Sequence, residues 1–465
     1  MKKIIPAVFA VFCVAVCLVP SLGMVVRPTV EPIGNERSSK PPEVIKKDGS
    51  VNFGYLTELG GYYEKHFAFR PELITADATI QANLFGNSSI DTVIAGTDGW
   101  LYYTSDANDF LGRSPLTEAQ INGVVHNLGI IQRYTQSKGA RFLFTVAPNK
   151  STLYPGNMPY YYGAKASDVH NRDLLRQALA DSDIAYCDLF APLGERSETL
   201  YFKRDSHWDN TGALLAYNEM MDSLGKEHNN YSGAVVTRRR DFTGDLSRML
   251  YPASEEAEYN TYYGAETYYS YTTDTKSVED TLIKTEAPDA RGTLYMYRDS
   301  FGNALVPFFA SAYHNATFTK AFPMNVAADL DACKPDTFVM ELVERNINWL
   351  ITMPPLLPAG ELSYYKSAGT LDGKAEFKVK PCDYAAEYTE ITGTAEGLEP
   401  DSKAEYYVSV NNRVYEAYSL TRDGADGFLV YLPADAYPAE AALDIKLIVK
   451  SNGEFYEITG GSNEN

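Results

Sequence analysis

Two short runs in this chain carry the residue types of nucleophilic catalysis. Asp205-Ser206-His207-Trp208 sets a carboxylate two residues from an imidazole, and far downstream Arg298-Asp299-Ser300-Phe301-Gly302 offers a serine. A histidine can take a serine proton while an aspartate fixes the histidine tautomer, and such triads are recognised by role and geometry rather than by order. Taken alone, each run has a plainer reading. His207 could bond a loop carbonyl, and Ser300 could cap the following helix, a role for which Asp299 competes.

The elements around these runs favour the chemical reading. Gly292 to Tyr297 reads as a strand and Ala304 to Ala310 as an apolar, helix-like stretch, so Ser300 falls at a strand-to-helix junction that stands clear of a sheet. Leu116 to Lys138 has helical spacing (Ile121, Val124, Val125, Leu128, Ile131), with Gly139 as its stop. Arg141 to Ala147 reads as a buried strand ended by Pro148. Ser167 to Ala180 reads as a second helix and Ile184 to Leu189 as a strand. A third helix, capped by Asp209 or Asn210, runs through Leu224. Strands are also expected at Ala316 to Ala321 and Thr337 to Leu342. This alternation predicts an α/β domain with a mainly parallel sheet and a site at the carboxyl ends of its strands.

Around that domain the chain divides further. Residues 1–26 read as a signal peptide or an uncleaved membrane anchor: Lys2-Lys3 precedes an apolar run, and Ser21-Leu22-Gly23 suits a signal peptidase. Phe12 and Val16 stand where a lipoprotein signal at Cys13 or Cys17 would need a small residue, so lipidation is not expected. Residues 27–50 are polar and Pro-rich, as in a linker. The catalytic domain is expected over 51–355, with a tyrosine-rich insertion near 232–290. Residues 361–465 alternate in short strands between turn residues and predict a separable β-sandwich-like domain.

Composition limits the partners. The chain has 465 residues, a formal net charge of −20 and 45% hydrophobic residues, including 35 Tyr and 21 Phe. It is long enough for two or three domains, and its acidity argues against a nucleic-acid partner. Carbohydrate suits so many tyrosines better, although tyrosines also fill cores. Cys187 reads as a core residue, and a Cys333–Cys382 bridge is possible but not demanded. The scattered His and Cys show no zinc spacing, so no metal is expected.

Four blocks in order, Gly96 to Tyr103, Pro148-Asn149-Lys150 with Tyr154-Pro155, Asp205 to Trp208 with Asn210 to Ala213, and Arg298 to Gly302, resemble the SGNH-hydrolase-like proteins of the alginate O-acetyltransferase group. The set looks most like the DHHW-motif branch found in Gram-positive bacteria, and the resemblance covers roughly residues 55 to 350. The resemblance implies a flavodoxin-like fold with Ser300 as nucleophile, His207 as base and Asp205 as orienting acid. Ser206 departs from the motif, which has a second histidine there, and a neighbouring contact is expected to be lost with it. Asn149 is the candidate side-chain oxyanion donor, with the N–H of Ser300 or Phe301 as another. Lys150 either holds an anionic substrate group or pairs with an acidic loop, and Arg298 is a further substrate or oxyanion candidate. Trp100 reads as core and Trp208 as packing behind the imidazole. Arg345 either lines the site or bonds Glu341 or Glu344 at the surface.

The function implied is an exported O-acyl, mainly acetyl, transferase or esterase acting on a cell-surface polysaccharide, without a cofactor of its own. A membrane-bound O-acyltransferase partner would supply acetyl groups, because no acetyl-donor cofactor is at hand outside the cell. The alternative is a non-catalytic carbohydrate-binding or envelope-assembly protein that keeps the fold.

Overall fold

The structure, a computed structural model, describes residues 4–26, 32–34, 36, 39–264, 268–275, 277–396, 402–422 and 424–464. Its centre is a seven-stranded sheet. In spatial order the strands are Tyr186–Cys187, Arg141–Ala147, Thr337–Val343, Thr293–Tyr297, Asn315–Thr319, Leu282–Glu286 and Ser270–Tyr271. The first five run parallel and the last two pair antiparallel, so the sheet is mixed. The antiparallel edge comes from the tyrosine-rich segment, part of which extends the sheet instead of standing beside it as an insertion.

Period-two alternation splits each central strand between two cores. Phe142, Phe144 and Val146 face helices Glu118–Ser137 and Asn171–Ala180. Leu143 and Ala147 face helices Asn210–Ser223 and Val306–Ala312. Helix Glu118–Ser137 starts at a capping box, in which Thr117 and Gln120 satisfy each other's backbone N–H. Asp209 caps the next long helix through the N–H groups of Thr211 and Gly212. The predicted strand at Ile184 to Leu189 shortens to two residues, because the Asp188 side chain bonds Arg176 and the N–H of Phe190.

The C-terminal region is one eight-stranded sheet rather than two facing sheets. Its edge strands, Arg413–Glu416 and Tyr418–Arg422, are separated only by Ala417, so the sheet must curl until its two edges meet. Ala417 donates its N–H to the Tyr406 carbonyl at that seam. Contrary to the expectation of a separable domain, this sheet shares a core with the α/β region. Tyr418, Leu420, Leu429 and Tyr431 pack in one cluster with Ile121, Val124 and Leu350. The buried Asn127 amide donates to the carbonyls of Leu350 and Ser419 and accepts from the Ser419 N–H.

Cys187, Cys333 and Cys382 are all free thiols, so the possible Cys333–Cys382 bridge is not formed. Cys333 Sγ lies instead 4.0 Å from Thr317 Oγ1.

Candidate active site

Ser300 follows the strand Thr293–Tyr297 and opens a short 3-10 turn, Phe301–Ala304. The loop from Leu200 to Asp209 brings His207 to it. His207 Nε2 lies 2.8 Å from Ser300 Oγ, and His207 Nδ1 lies 2.7 Å from Asp205 Oδ1. Asp205 Oδ1 also accepts the His207 N–H at 2.8 Å, and Oδ2 accepts the Asp245 N–H. Burial pushes the Asp205 carboxyl up, but His207 and the Asp245 N–H more than reverse this and hold it well below the carboxylate range. Burial likewise opposes an imidazolium at His207. The Asp205 and Asp245 carboxylates outweigh it and raise the His207 pKa above its ordinary 6.5.

The imidazole loop and the serine loop are tied directly. Trp208 is fully buried, and its Nε1–H donates to the Phe301 carbonyl at 3.0 Å. The Phe301 ring packs against the His207 and Trp208 rings. Phe301 thus touches both rings, and Trp208 packs on Phe301.

The structure reassigns other sequence candidates. Lys150 is buried, and its ammonium donates to three carbonyls, those of Phe202, Lys203 and Asp205, at 2.6–3.0 Å. The rings of Trp100 and Tyr102 cover it. Burial lowers its pKa to about 8, opposed by Asp205 and Asp245. It is thus committed to the loop that carries Asp205 and His207, and is free neither for a substrate anion nor for a surface pair. Trp100 is core, as expected.

Arg298 is buried too. Its guanidinium bonds Asn303 and the carbonyls of Val278 and Asp280, bracing the tyrosine-rich segment against the serine loop rather than facing substrate. The Phe301 N–H is already taken by Asp299 Oδ1 at 2.9 Å, which removes it as an oxyanion donor here. Asp299 Oδ2 accepts the Val343 N–H, so this carboxylate fixes the serine loop to the central strand. Beneath it Glu341 is fully buried and accepts the Asp299 N–H, and burial together with Asp299 pushes its carboxyl well up. Gly302 is required by this packing, since a Cβ there would meet Arg298 Cβ at 2.6 Å.

Asn149 lies just beyond the strand Arg141–Ala147 and is 1% exposed, and neither its amide oxygen nor its amide nitrogen has a partner among the described residues. Its backbone N–H is held by Glu344. Arg345 is not a surface residue bonded to Glu341 or Glu344. It pairs with buried Asp106 at 3.2 Å and lies over the rings of Tyr103 and Phe301. Burial raises the Asp106 carboxyl to about 6, opposed by Arg345.

Beside the imidazole, sequence reasoning missed Asp245 and misjudged Ser206. Asp245 lies 3.9 Å from His207 Nδ1 and accepts from Ser206 Oγ at 2.7 Å. Ser206, where the motif has histidine, thus keeps a contact beside the imidazole, with its Oγ 3.2 Å from His207 Nδ1. The one sequence signal was Gly244-Asp245 ahead of Leu246, Met249 and Leu250, spaced for one face of a short helix. Gly244 presses on the Arg204 carbonyl so closely that a Cβ would lie 2.1 Å from it.

By distance, Asp205, His207 and Asp245 could gather a cation, as could His126, Glu405 and Glu416. In the first group the donors already serve the hydrogen bonds described above. In the second, Glu405 bonds Lys450 and Glu416 bonds Arg133.

Residues 93–291 match the family model of the SGNH hydrolase-like domain of acetyltransferase AlgX. That stretch of the chain is similar to an SGNH hydrolase-like domain. The match takes in the Asp205 and His207 loop and ends before Ser300. The chain is 25% identical over 171 residues to the probable alginate O-acetylase AlgJ of Pseudomonas aeruginosa, an alignment covering 36% of this chain and 41% of that protein. It therefore spans about two fifths of that relative's length. Among solved structures it is similar to a DHHW family protein from Eubacterium siraeum, at 18% identity and a TM-score of 0.41, over 55% of this chain and 95% of that one. It is also similar to Bacillus cereus PatB1 with a sulfonyl adduct, at 14% identity and a TM-score of 0.43, over 56% of this chain and 96% of that one.

Proposed function

We propose that this protein is an exported, serine-dependent O-acyltransferase or acylesterase acting on a cell-envelope polysaccharide, with acetyl as the acyl group. The observation that carries the reading is the unbroken line from Asp205 Oδ1 through His207 to Ser300 Oγ, both links under 3 Å. Asp205 holds the proton on Nδ1, which leaves Nε2 free to accept from Ser300. Ser300 Oγ attacks the acyl carbonyl as its proton passes to Nε2. Collapse expels the donor oxygen, which takes that proton and leaves an acyl-enzyme. A sugar hydroxyl then gives its proton to His207 and accepts the acyl group, as Ser300 Oγ leaves and takes that proton back; water in place of the sugar gives hydrolysis.

The orphaned Asn149 amide supports its reading as an oxyanion donor. A buried amide without a partner costs about 1–3 kcal/mol, which a ligand oxygen would relieve. Acetyl supply from a membrane-bound O-acyltransferase belongs to the same reading, as does export. Helix Ile4–Val26 is long and apolar enough to cross a membrane, and we read it as a retained anchor.

A fluorophosphonate probe tests the chemistry. We expect labelling of the wild type and none of Ser300→Ala, with acetyl-ester turnover lost in parallel. His207→Ala should be nearly as damaging, and the double variant little worse than either single one. An unlabelled wild type would favour the carbohydrate-binding alternative. Additive losses would show that Ser300 and His207 do not act as a unit.

A further inference from the structure

Helix Tyr55–His66 buries none of its side chains, and helix Arg70–Phe85 buries only Ala78. Both nevertheless carry an apolar stripe. Leu56, Leu59 and Tyr63 recur at i, i+3 and i+7 on the first, and Leu73, Ile80 and Leu84 at i, i+7 and i+11 on the second, where Asp77 at i+4 interrupts the row. Leu56 is 79% exposed and Leu84 72%. Short helices draw their stability from tertiary packing, and the first contains the adjacent pair Gly60-Gly61. These stripes need a cover.

The N-terminal helix indicates which one. The Pro20 carbonyl accepts the Ala68 N–H at 3.3 Å, and Ser21 Oγ lies 2.8 Å from Tyr63 Oη. Gly23 seats against Ala68 so closely that a Cβ would lie 2.6 Å from Ala68 Cβ. At about 1.5 Å per residue, Pro20 lies roughly 9 Å short of the helix end at Val26. The turn joining the two short helices therefore meets the apolar helix below its outer end, in the outer part of the length that would cross a bilayer.

We propose that helices Tyr55–His66 and Arg70–Phe85 lie in the interfacial layer of the bilayer crossed by Ile4–Val26, with their leucine stripes toward the acyl chains. The inference rests on the retained-anchor reading given above. Glu58, Glu64, Glu72 and Asp77 outnumber Lys65 and Arg70 on these helices, so apolar burial rather than attraction to anionic headgroups holds them there. The platform reaches the candidate active site through one helix. Ala78 packs with Leu246 and Leu250 of helix Asp245–Leu250, whose first residue bonds Ser206 and Asp205. The acyl-transfer site is thereby held close above the membrane surface.

The test uses the full chain reconstituted in vesicles whose lipids carry brominated acyl chains, which quench tryptophan on contact. Leu56→Trp and Leu84→Trp are compared with Tyr160→Trp, an exposed position on the α/β body. We expect loss of the added emission at 56 and 84 and none at 160. Alkaline carbonate extraction of the wild type, run alongside, reports the anchor. Release of the chain would defeat the retained anchor and this inference with it. Retention without quenching at 56 and 84 would overturn this inference alone. So would shielding of both tryptophans from aqueous acrylamide and brominated lipid alike, which would mean that a protein surface covers them.

Discussion

A second carboxylate, that of Asp245, lies 3.9 Å from His207 Nδ1, and its charge helps set the pH at which the imidazole can act as a base. A base whose pKa is raised is protonated at lower pH and works only above its own pKa. Turnover of a small acetyl ester should therefore rise with pH, with an inflection above 6.5. Asp245→Asn removes one charge that favours the imidazolium, so the inflection should move to lower pH while the alkaline plateau is largely kept. An inflection that stays put would show that Asp245 serves only the backbone of the loop. For Asn149→Ala we expect a fall in kcat of about 10²–10³-fold with KM little changed, as for loss of one oxyanion donor. An unchanged kcat would remove Asn149 from the reaction. The hydrogen-bonded line Asp205–His207–Ser300 was legible because its two runs are local and chemically distinctive. Asp245 was not, because it lies in a tyrosine-rich segment without period and reaches the imidazole only through tertiary folding. The Phe301 N–H was misjudged for a local reason: Asp299 two residues earlier folds back onto it, the usual habit of an aspartate at a turn.

At the scale of elements, the strand Arg141–Ala147 and the loop after it act as one device. The strand delivers Lys150 into the interior, where three carbonyls of the 202–205 loop converge on its ammonium. Lysine is rarely buried, so exposure was the natural expectation from sequence, and only the convergence of those carbonyls explains the exception. Lys150→Met keeps much of the volume but strands those acceptors. We expect a loss of about 3 kcal/mol in stability, read by denaturant unfolding, together with loss of probe labelling. A variant of wild-type stability would mean that the loop is held by other contacts, such as Glu258 on the N–H groups of Lys203 and Arg204. The central helices and strands were legible from periodicity to within a few residues. The mixed character of the sheet was not, because its antiparallel strands are short and lie in the segment that lacked a pattern.

Taken as a whole, the molecule is less divisible than its sequence. The change from helix–strand alternation to short strands near residue 361 is real, since an all-β region follows it. Composition cannot show that Tyr418, Leu420 and Tyr431 of that region pack on helix Glu118–Ser137. A chain ending at residue 360 would expose Ile121 and Val124 and strand the buried Asn127 amide. We expect it to aggregate, or to bind a hydrophobic dye and lose turnover even on small esters. A soluble, fully active product would show that the shared core is dispensable.

The position of Thr337–Val343 has a consequence for the order of events during synthesis. This strand comes last in the central sheet along the chain, yet it sits between Arg141–Ala147 and Thr293–Tyr297. Until it emerges, the half of the sheet that precedes Asn149 and the half that presents Ser300 have no shared ladder. Asp299 likewise lacks the Val343 N–H that fixes the serine loop. Such long-range pairing forms late in folding. A nascent chain exported as proposed would carry His207 and then Ser300 through with the serine loop unfixed, and would fix it only when residue 343 arrived.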